Sequence, residues 1–261
     1  LSTRAGAAHA AETLLASHGV PVEWPEAVLR AAARLPKQVQ PHRHRDRRSL
    51  VDVPLVTIDG ETAKDFDDAV FAERQRGGWR LVVAIADVAH YVKAGAPLDL
   101  SAWERGTSVY LPDRVIPMLP EALSNGLCSL RPHEPRLALV CDMRITPRGN
   151  VTKFEFYEAV IRSWQRLTYT RVQEFLDAGA LDVEAPVQDS LRELKAVYDV
   201  LRAAREARGA LDFDTHEAAL ELQDGHVCAI HPVSRLDAHR LIEEAMIAAN
   251  VCAARFLEGA G

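Results

Sequence analysis

No apolar run in this chain approaches the ~18 residues a membrane-crossing helix needs, which excludes a helical span. Cysteine is sparse. Cys128, Cys141, Cys228 and Cys252 stand far apart, with no Cys-x-x-Cys and no His at zinc-ligand spacing. That pattern speaks against a structural zinc and suits free, buried thiols in a reducing cytoplasm. The chain opens Leu1-Ser2-Thr3-Arg4, without Met, and no apolar segment follows the early charge, so the opening does not read as a signal peptide. A basic excess is also missing. The net charge of −6 is a mild argument against a nucleic-acid binder. One stretch, Lys37 to Arg48 (KQVQPHRHRDRR), is locally basic and reads either as a solvated linker or as a cationic surface. Internal repeats and low-complexity tracts are absent.

What remains is an ordinary globular chain. Its 261 residues allow one large domain or two small ones, and 48% hydrophobic residues suffice for a core. Residues 8–36 read as helix, broken in two by Gly19, Pro21 and Pro25. Residues 37–53 read as a polar linker arriving at a first strand, Pro54 to Ile58. Gly77-Gly78 predicts a hairpin between Ala69–Glu73 and Trp79–Ile85. Residues 98–106 suit a short helix, whereas 107–135 hold too much Pro, Ser, Gly and Asn for long elements. Strands are expected at Leu137–Ile145 and Val151–Ile161, joined by the turn Pro147-Arg148-Gly149-Asn150. Thr168 can cap a helix over Tyr169–Ala178, and 187–208 shows helical spacing of Leu191, Leu194, Val197 and Leu201. Leu211–Leu222 and Val227–Pro232 look extended about Asp224-Gly225, and a long helix runs from Asp237 to Leu257. Strands first and helices after predict an α+β fold: a mixed, largely antiparallel sheet with packed helices.

The segment from Thr57 to Ala69 (TIDGETAKDFDDA) packs Asp59, Asp65, Asp67 and Asp68 into ten residues directly after an apolar strand. At about 5 Å and an effective dielectric of about 20, each pair of such carboxylates costs about 3 kcal/mol. A fold keeps that arrangement when a cation neutralises it. Oxygen donors with no His or Cys nearby suit a hard cation, Mg²⁺ or Mn²⁺, and metals on shared carboxylates can activate water against a phosphodiester. The plain alternative is a solvated acidic loop. Calcium binding of the EF-hand kind fails on spacing, because the Asp-x-Asp-x-Asp-Gly register and its twelfth-position Glu are absent.

The same segment resembles the signature of the ribonuclease II/R (RNB) family. So do Val83–Val92 (VAIADVAHYV), Gly106–Leu130 (GTSVYLPDRVIPMLPEALSNGLCSL), Arg166-Leu167-Thr168-Tyr169, Arg208–Asp214 (RGALDFD) and Leu241–Asn250 (LIEEAMIAAN), in that order. The resemblance covers roughly residues 20–261 and is nearest the ribonuclease R branch. It implies hydrolysis of single-stranded RNA from the 3′ end to nucleoside 5′-monophosphates. It also implies that Asp59, Asp65, Asp67 and Asp68 are the catalytic and metal-site aspartates, with Asp67 most critical for the chemistry and Asp59 and Asp68 direct ligands. By the same resemblance Tyr110 stacks on a base near the 3′ end, Phe213 is a second aromatic jaw, and Glu243 or Glu244 hydrogen-bonds a terminal ribose. The bland alternatives are a strand-end Tyr, a core Phe and helix-surface charge.

The chain departs from the family pattern in extent. The family's cold-shock modules and its S1 domain are not in this sequence, nor is a Thr-Ser-Pro-Ile-Arg-Arg segment whose arginine is thought to stabilise the transition state. Residues 1–50 are therefore read as a helical connector and 51–261 as the N-terminal portion of an RNB catalytic domain, incomplete on its C-terminal side. These 261 residues alone are expected to have little nuclease activity and to expose apolar side chains on the last helix, through Leu241, Ile242, Met246, Ile247 or Phe256. Two rival readings stay open: a catalytically silent RNB-like scaffold that binds RNA or protein, and a metal-dependent phosphomonoesterase.

Overall fold

The computed structural model of the chain describes residues 4–111, 114–211, 217–223 and 226–261. In chain order the elements are helices α1 (Arg4–Ser17) and α2 (Glu26–Ala33), then strands β1 (Arg48–Leu50), β2 (Val56–Asp59), β3 (Asp68–Gln75) and β4 (Gly78–Ala86). Helices α3 (Val88–Tyr91) and α4 (Pro97–Arg105) and strands β5 (Val109–Tyr110) and β6 (Val115–Ile116) follow. After them come β7 (Pro135–Ile145), β8 (Val151–Arg162), β9 (Gln165–Thr168), α5 (Tyr169–Ala178) and α6 (Ala185–Ala207). The chain closes with β10 (Glu217–Gln223), β11 (His226–Val233) and α7 (Asp237–Ala260). No helix among the described residues is long and apolar enough to cross a membrane.

Two compact units emerge. The first comprises Leu1–Pro36, Val88–Gly126 and Phe213–Ser234; the second comprises Lys37–Asp87, Leu127–Asp212 and Arg235–Gly261. In the first, α2 packs on α4. The Arg105 guanidinium lies 3.6 Å from the Trp24 ring centroid and its Nη2 donates to the Glu23 carbonyl at 2.8 Å. Strands β5 and β6 form one short hairpin, and β10 and β11 another.

The second unit is built on a seven-stranded sheet in the order β1-β8-β7-β4-β3-β2-β9. Neighbours are antiparallel except β1 with β8 and β2 with β9, which run parallel at the two edges. The α+β class and the largely antiparallel sheet agree with the sequence reading. One sheet face carries Val70, Leu81, Val83, Cys141 and Met143, all buried, against α5, α6 and α7. Alternation along each strand puts these residues on one side, and the helices bring Val172, Leu191, Leu194, Leu241 and Ala245 to meet them. The antiparallel register pairs Val56 with Val70, so β2 begins there and leaves Ala72 beyond its reach. The Ala72 N–H donates instead to Ser190 Oγ on α6, at 3.1 Å.

Two expectations need correction. The end of the basic stretch is structured, whereas Lys37, Arg43 and Arg45 before it are exposed. Arg47 is buried and its Nη1 stands 2.7 Å from Asp87 Oδ2, while Arg48 opens β1, pairs with Glu155 and lies 4.0 Å over the Tyr157 ring. Sequence separation hid these partners: Arg47 meets Asp87 and Glu158, and Arg48 meets Glu155, acids 40 to 111 positions away. On α7, Leu241 and Ile242 belong to the core; Ile247, Val251, Phe256 and Leu257 are the exposed apolar residues. The helical period decides this, since 241, 245, 248 and 252 share the buried stripe.

Candidate active site

Asp59 is the last residue of β2 and Asp68 the first of β3. The loop between them is tied down at many points. Ser129 Oγ donates to the Lys64 carbonyl at 2.8 Å and accepts from the Phe66 N–H at 3.2 Å. The Phe66 carbonyl accepts from the Leu130 N–H at 2.8 Å, and the Asp67 carbonyl from the Ala86 N–H at 2.9 Å. Phe66 is buried, so it plugs the loop into the sheet while Asp65 and Asp67 flank it. Buried Arg136 holds the Ser129 segment in turn, its Nε donating to the Ser129 carbonyl at 2.7 Å. From β9, Arg166 Nη2 donates to the carbonyls of Gly60 and Glu61 at 2.6 and 2.8 Å.

The electrostatics show how far this loop crowds its acids. Burial, then Asp68, Asp67 and Asp65, push the Asp59 carboxyl up to about 7, against an opposing pull from Arg166. Burial and Asp67 push Asp68 up to about 6. Asp67 is raised by burial and by Asp65. Asp68 Oδ2 is buried with no hydrogen-bond partner, a costly condition for a carboxylate oxygen. Among the described residues no three His, Cys, Asp or Glu side chains stand converged as a finished ion cage. The donor set still fits a hard divalent cation: it is all oxygen, it is mutually repelling, and it leaves one buried oxygen without a partner.

Parallel pairing brings a second set of residues here. Asp59 lies in register with Thr168, whose hydroxyl caps α5 by accepting from the Arg171 N–H at 3.2 Å. Tyr169 follows directly. Its hydroxyl is pushed up to about 12 by burial and by Asp59, Asp68 and Glu243, so it stays a neutral donor at the edge of the acidic group. The motif Arg166–Tyr169 was visible in sequence, but nothing local gave Arg166 or Tyr169 a role; only the strand pairing does.

The other sequence-derived candidates fall out as follows. Glu244 is buried on α7 and accepts from Arg205 Nη1 of α6 at 2.7 Å, an interhelical ion pair. Glu243 is more exposed and pairs with Arg235. Tyr110 ends β5 in the first unit with 67% of its surface exposed. Phe213 lies outside the described residues.

Comparison with known proteins adds three findings. Residues 47–261 match the RNB domain. The chain is 49% identical to Ribonuclease R of Escherichia coli across its whole length and 48% identical to Ribonuclease R of Vibrio parahaemolyticus over 94% of it. It covers 32% and 30% of those relatives, about a third of their length. Mycoplasma genitalium RNase R, solved in complex with ribose methylated single-stranded RNA, superposes with a TM-score of 0.92 at 31% identity, covering 97% of this chain and 40% of that one. With a domain match over most of its residues, and the acidic loop inside the matched region, the chain belongs to the RNB domain family.

Proposed function

We propose that this chain carries the hydrolytic centre of a 3′-to-5′ exoribonuclease that degrades single-stranded RNA to nucleoside 5′-monophosphates with Mg²⁺ or Mn²⁺. The carrying observation is the crowded carboxyl set of Asp59, Asp67 and Asp68, with the unpartnered Asp68 Oδ2, in an RNB-family chain. The names of the relatives and the RNA bound to the Mycoplasma genitalium protein support RNA as the substrate class.

In this reading Asp59 and Asp68 hold the cation, with Asp65 close by. A divalent cation there supplies water activation and neutralises charge on the phosphodiester. Asp67, on the solvent side of the pair, accepts a hydrogen bond from the attacking water and orients it. The neutral Tyr169 hydroxyl donates to a substrate oxygen. Arg166 and Ser129 fix the loop so that these distances hold. Tyr110 offers a stacking surface of the sequence-tolerant kind that processive work needs. Glu243 accepts from a ribose hydroxyl; Glu244, committed to Arg205, supports the helix. The full protein, in this reading, is cytoplasmic and adds cold-shock and S1 modules.

The test grafts this chain into the Escherichia coli relative in place of its matching third and supplies 5′-labelled single-stranded RNA. The expected result is stepwise shortening from the 3′ end that requires Mg²⁺ or Mn²⁺ and stops with chelator. Internal cuts, chelator-resistant cleavage, or no cleavage by a folded graft would each reject the reading.

A further inference from the structure

We infer that His239 is a positioning residue for this reaction: its imidazole clamps the ring of Tyr169 and so fixes where the phenol hydroxyl meets the aspartates. The inference rests on the reading of Asp59, Asp67 and Asp68 as the hydrolytic centre.

The geometry constrains the imidazole twice. Its ring stacks on Tyr169, with centroids 4.0 Å apart and planes inclined by 20°. Its Nδ1 accepts from the Leu236 N–H at 3.1 Å, one of the amides a helix start leaves without an intrahelical partner. The second bond fixes the ring plane, and the first passes that plane on to the tyrosine. A neighbouring contact holds the same two helices in step: Gln173 Oε1, one turn along α5 from Tyr169, accepts from the Ala238 N–H at 3.2 Å. On α7, Glu243 lies four residues after His239 and therefore on the same face. Tyr169 is thus held against His239 and directly follows Thr168, which is in register with Asp59 at the end of β2. The phenol needs such a clamp. Tyr169 is the first residue of its helix, where the backbone constrains the side chain least, and a hydroxyl at the end of a ring sweeps a wide arc for a small rotation at Cα–Cβ.

A helix cap alone would explain the Nδ1 bond but not the stack, so the two functions of the ring can be separated by substitution. His239→Asn keeps an acceptor for Leu236 and removes the stacking face. His239→Phe keeps the face and removes the acceptor. Two readouts apply. In the chain itself, carbon-13-labelled tyrosine, with Tyr169 assigned by loss of its signal in Tyr169→Phe, reports the ring-current displacement that a stacked imidazole causes. In the graft, steady-state kinetics on 5′-labelled RNA in excess separate kcat from KM.

In His239→Asn the Tyr169 signal should return towards the ordinary tyrosine position. The value of kcat should fall by roughly 10- to 100-fold, the size of effect that misplacing a reacting group produces, with KM and melting temperature little changed. His239→Phe should keep the displaced signal and kcat within about threefold of the parent, the stack being intact, yet melt at a lower temperature because the cap is lost. An unchanged Tyr169 signal or an unchanged kcat in His239→Asn overturns the inference. So does a loss of activity that follows melting temperature in both variants, which would make His239 a cap only. If the graft with native His239 fails to cleave RNA, the reading of the aspartates falls and the positioning role with it; a displaced Tyr169 signal would then report packing alone.

Discussion

Replacing Asp67 by Asn keeps the side-chain shape and removes one charge and one acceptor. In the graft, Asp67→Asn should lower the hydrolysis rate by roughly 100-fold or more, since the orientation of the water is lost. RNA affinity, measured by filter binding, should stay within about threefold, because stacking and phosphate contacts are untouched. Equal losses of affinity and rate would reject that division of labour. Tyr110→Ala has the opposite signature. The residue is exposed at the end of β5, and base stacking is worth about 1–3 kcal/mol. Its removal should change the length of the final product more than the rate of the early steps, and an unaltered product ladder would count against the stacking role. At this scale the sequence was informative where chemistry is local. That Asp59, Asp65, Asp67 and Asp68 crowd together was legible because one short segment holds them all. Arg166, Ser129, Tyr169 and His239 were not, because each reaches the acidic loop or its neighbours from a distant segment, through strand pairing or helix packing. Glu244 shows the same limit: helix-surface charge and a buried partner of Arg205 look identical until α6 is placed beside α7.

Among the elements, the turn between β7 and β8 shows what a single glycine can carry. Gly149 has φ of 72°, and a Cβ there would sit 2.2 Å from the Val200 carbonyl oxygen and 2.7 Å from Ala204 Cβ. The turn therefore lies directly on α6. Gly149→Ala combines a left-handed backbone with a steric clash against helix backbone and should cost about 2–3 kcal/mol, read as a lower denaturant midpoint at unchanged slope. Stability within experimental error of the parent would mean that α6 can retreat from the turn. Most elements were readable from periodicity and turn chemistry: the β3–β4 hairpin, the Thr168 cap and the helices α5, α6 and α7 follow from patterns a few residues long. The two parallel edges, β1 on β8 and β2 on β9, were not. Strands of three and four residues carry too little pattern to declare a partner more than a hundred positions away.

For the molecule as a whole, the crowded carboxyls set a pH dependence whose sign can be worked out. Asp59 and Asp68 hold their protons more tightly when folded than when unfolded, with the ordinary value of 3.8 moved to about 7 and about 6. The folded chain therefore binds more protons across that window, and stability falls as pH rises through it. In chelator, the melting temperature should drop by a few degrees between the two ends of the window, with each carboxyl contributing on the order of 1 kcal/mol after solvent screening. Asp59→Asn should flatten the slope, and millimolar Mg²⁺ or Mn²⁺ should offset it by binding the folded state. A metal-free melting temperature that is flat or rises over the window would mean that the carboxyls are not crowded in solution.

The parallel edge at β9 also sets an order of events in time. Strands β2, β3 and β4 are close neighbours in the chain, and β3 and β4 can close as a hairpin within microseconds. Strand β9 reaches β2 only after more than a hundred intervening residues have been gathered in, a slow, long-range closure. Arg166 and Tyr169 travel with it. During folding, then, the aspartates can be brought together by the β2–β3 pairing before Arg166, whose charge opposes their mutual repulsion, is delivered by β9. Pulse-labelled hydrogen exchange should protect the amides of Val82 and Val83 before that of Leu167, and simultaneous protection would contradict this order. The site's residues are thus gathered in two instalments, the acidic loop from neighbouring strands and Arg166 and Tyr169 from a strand more than a hundred positions away.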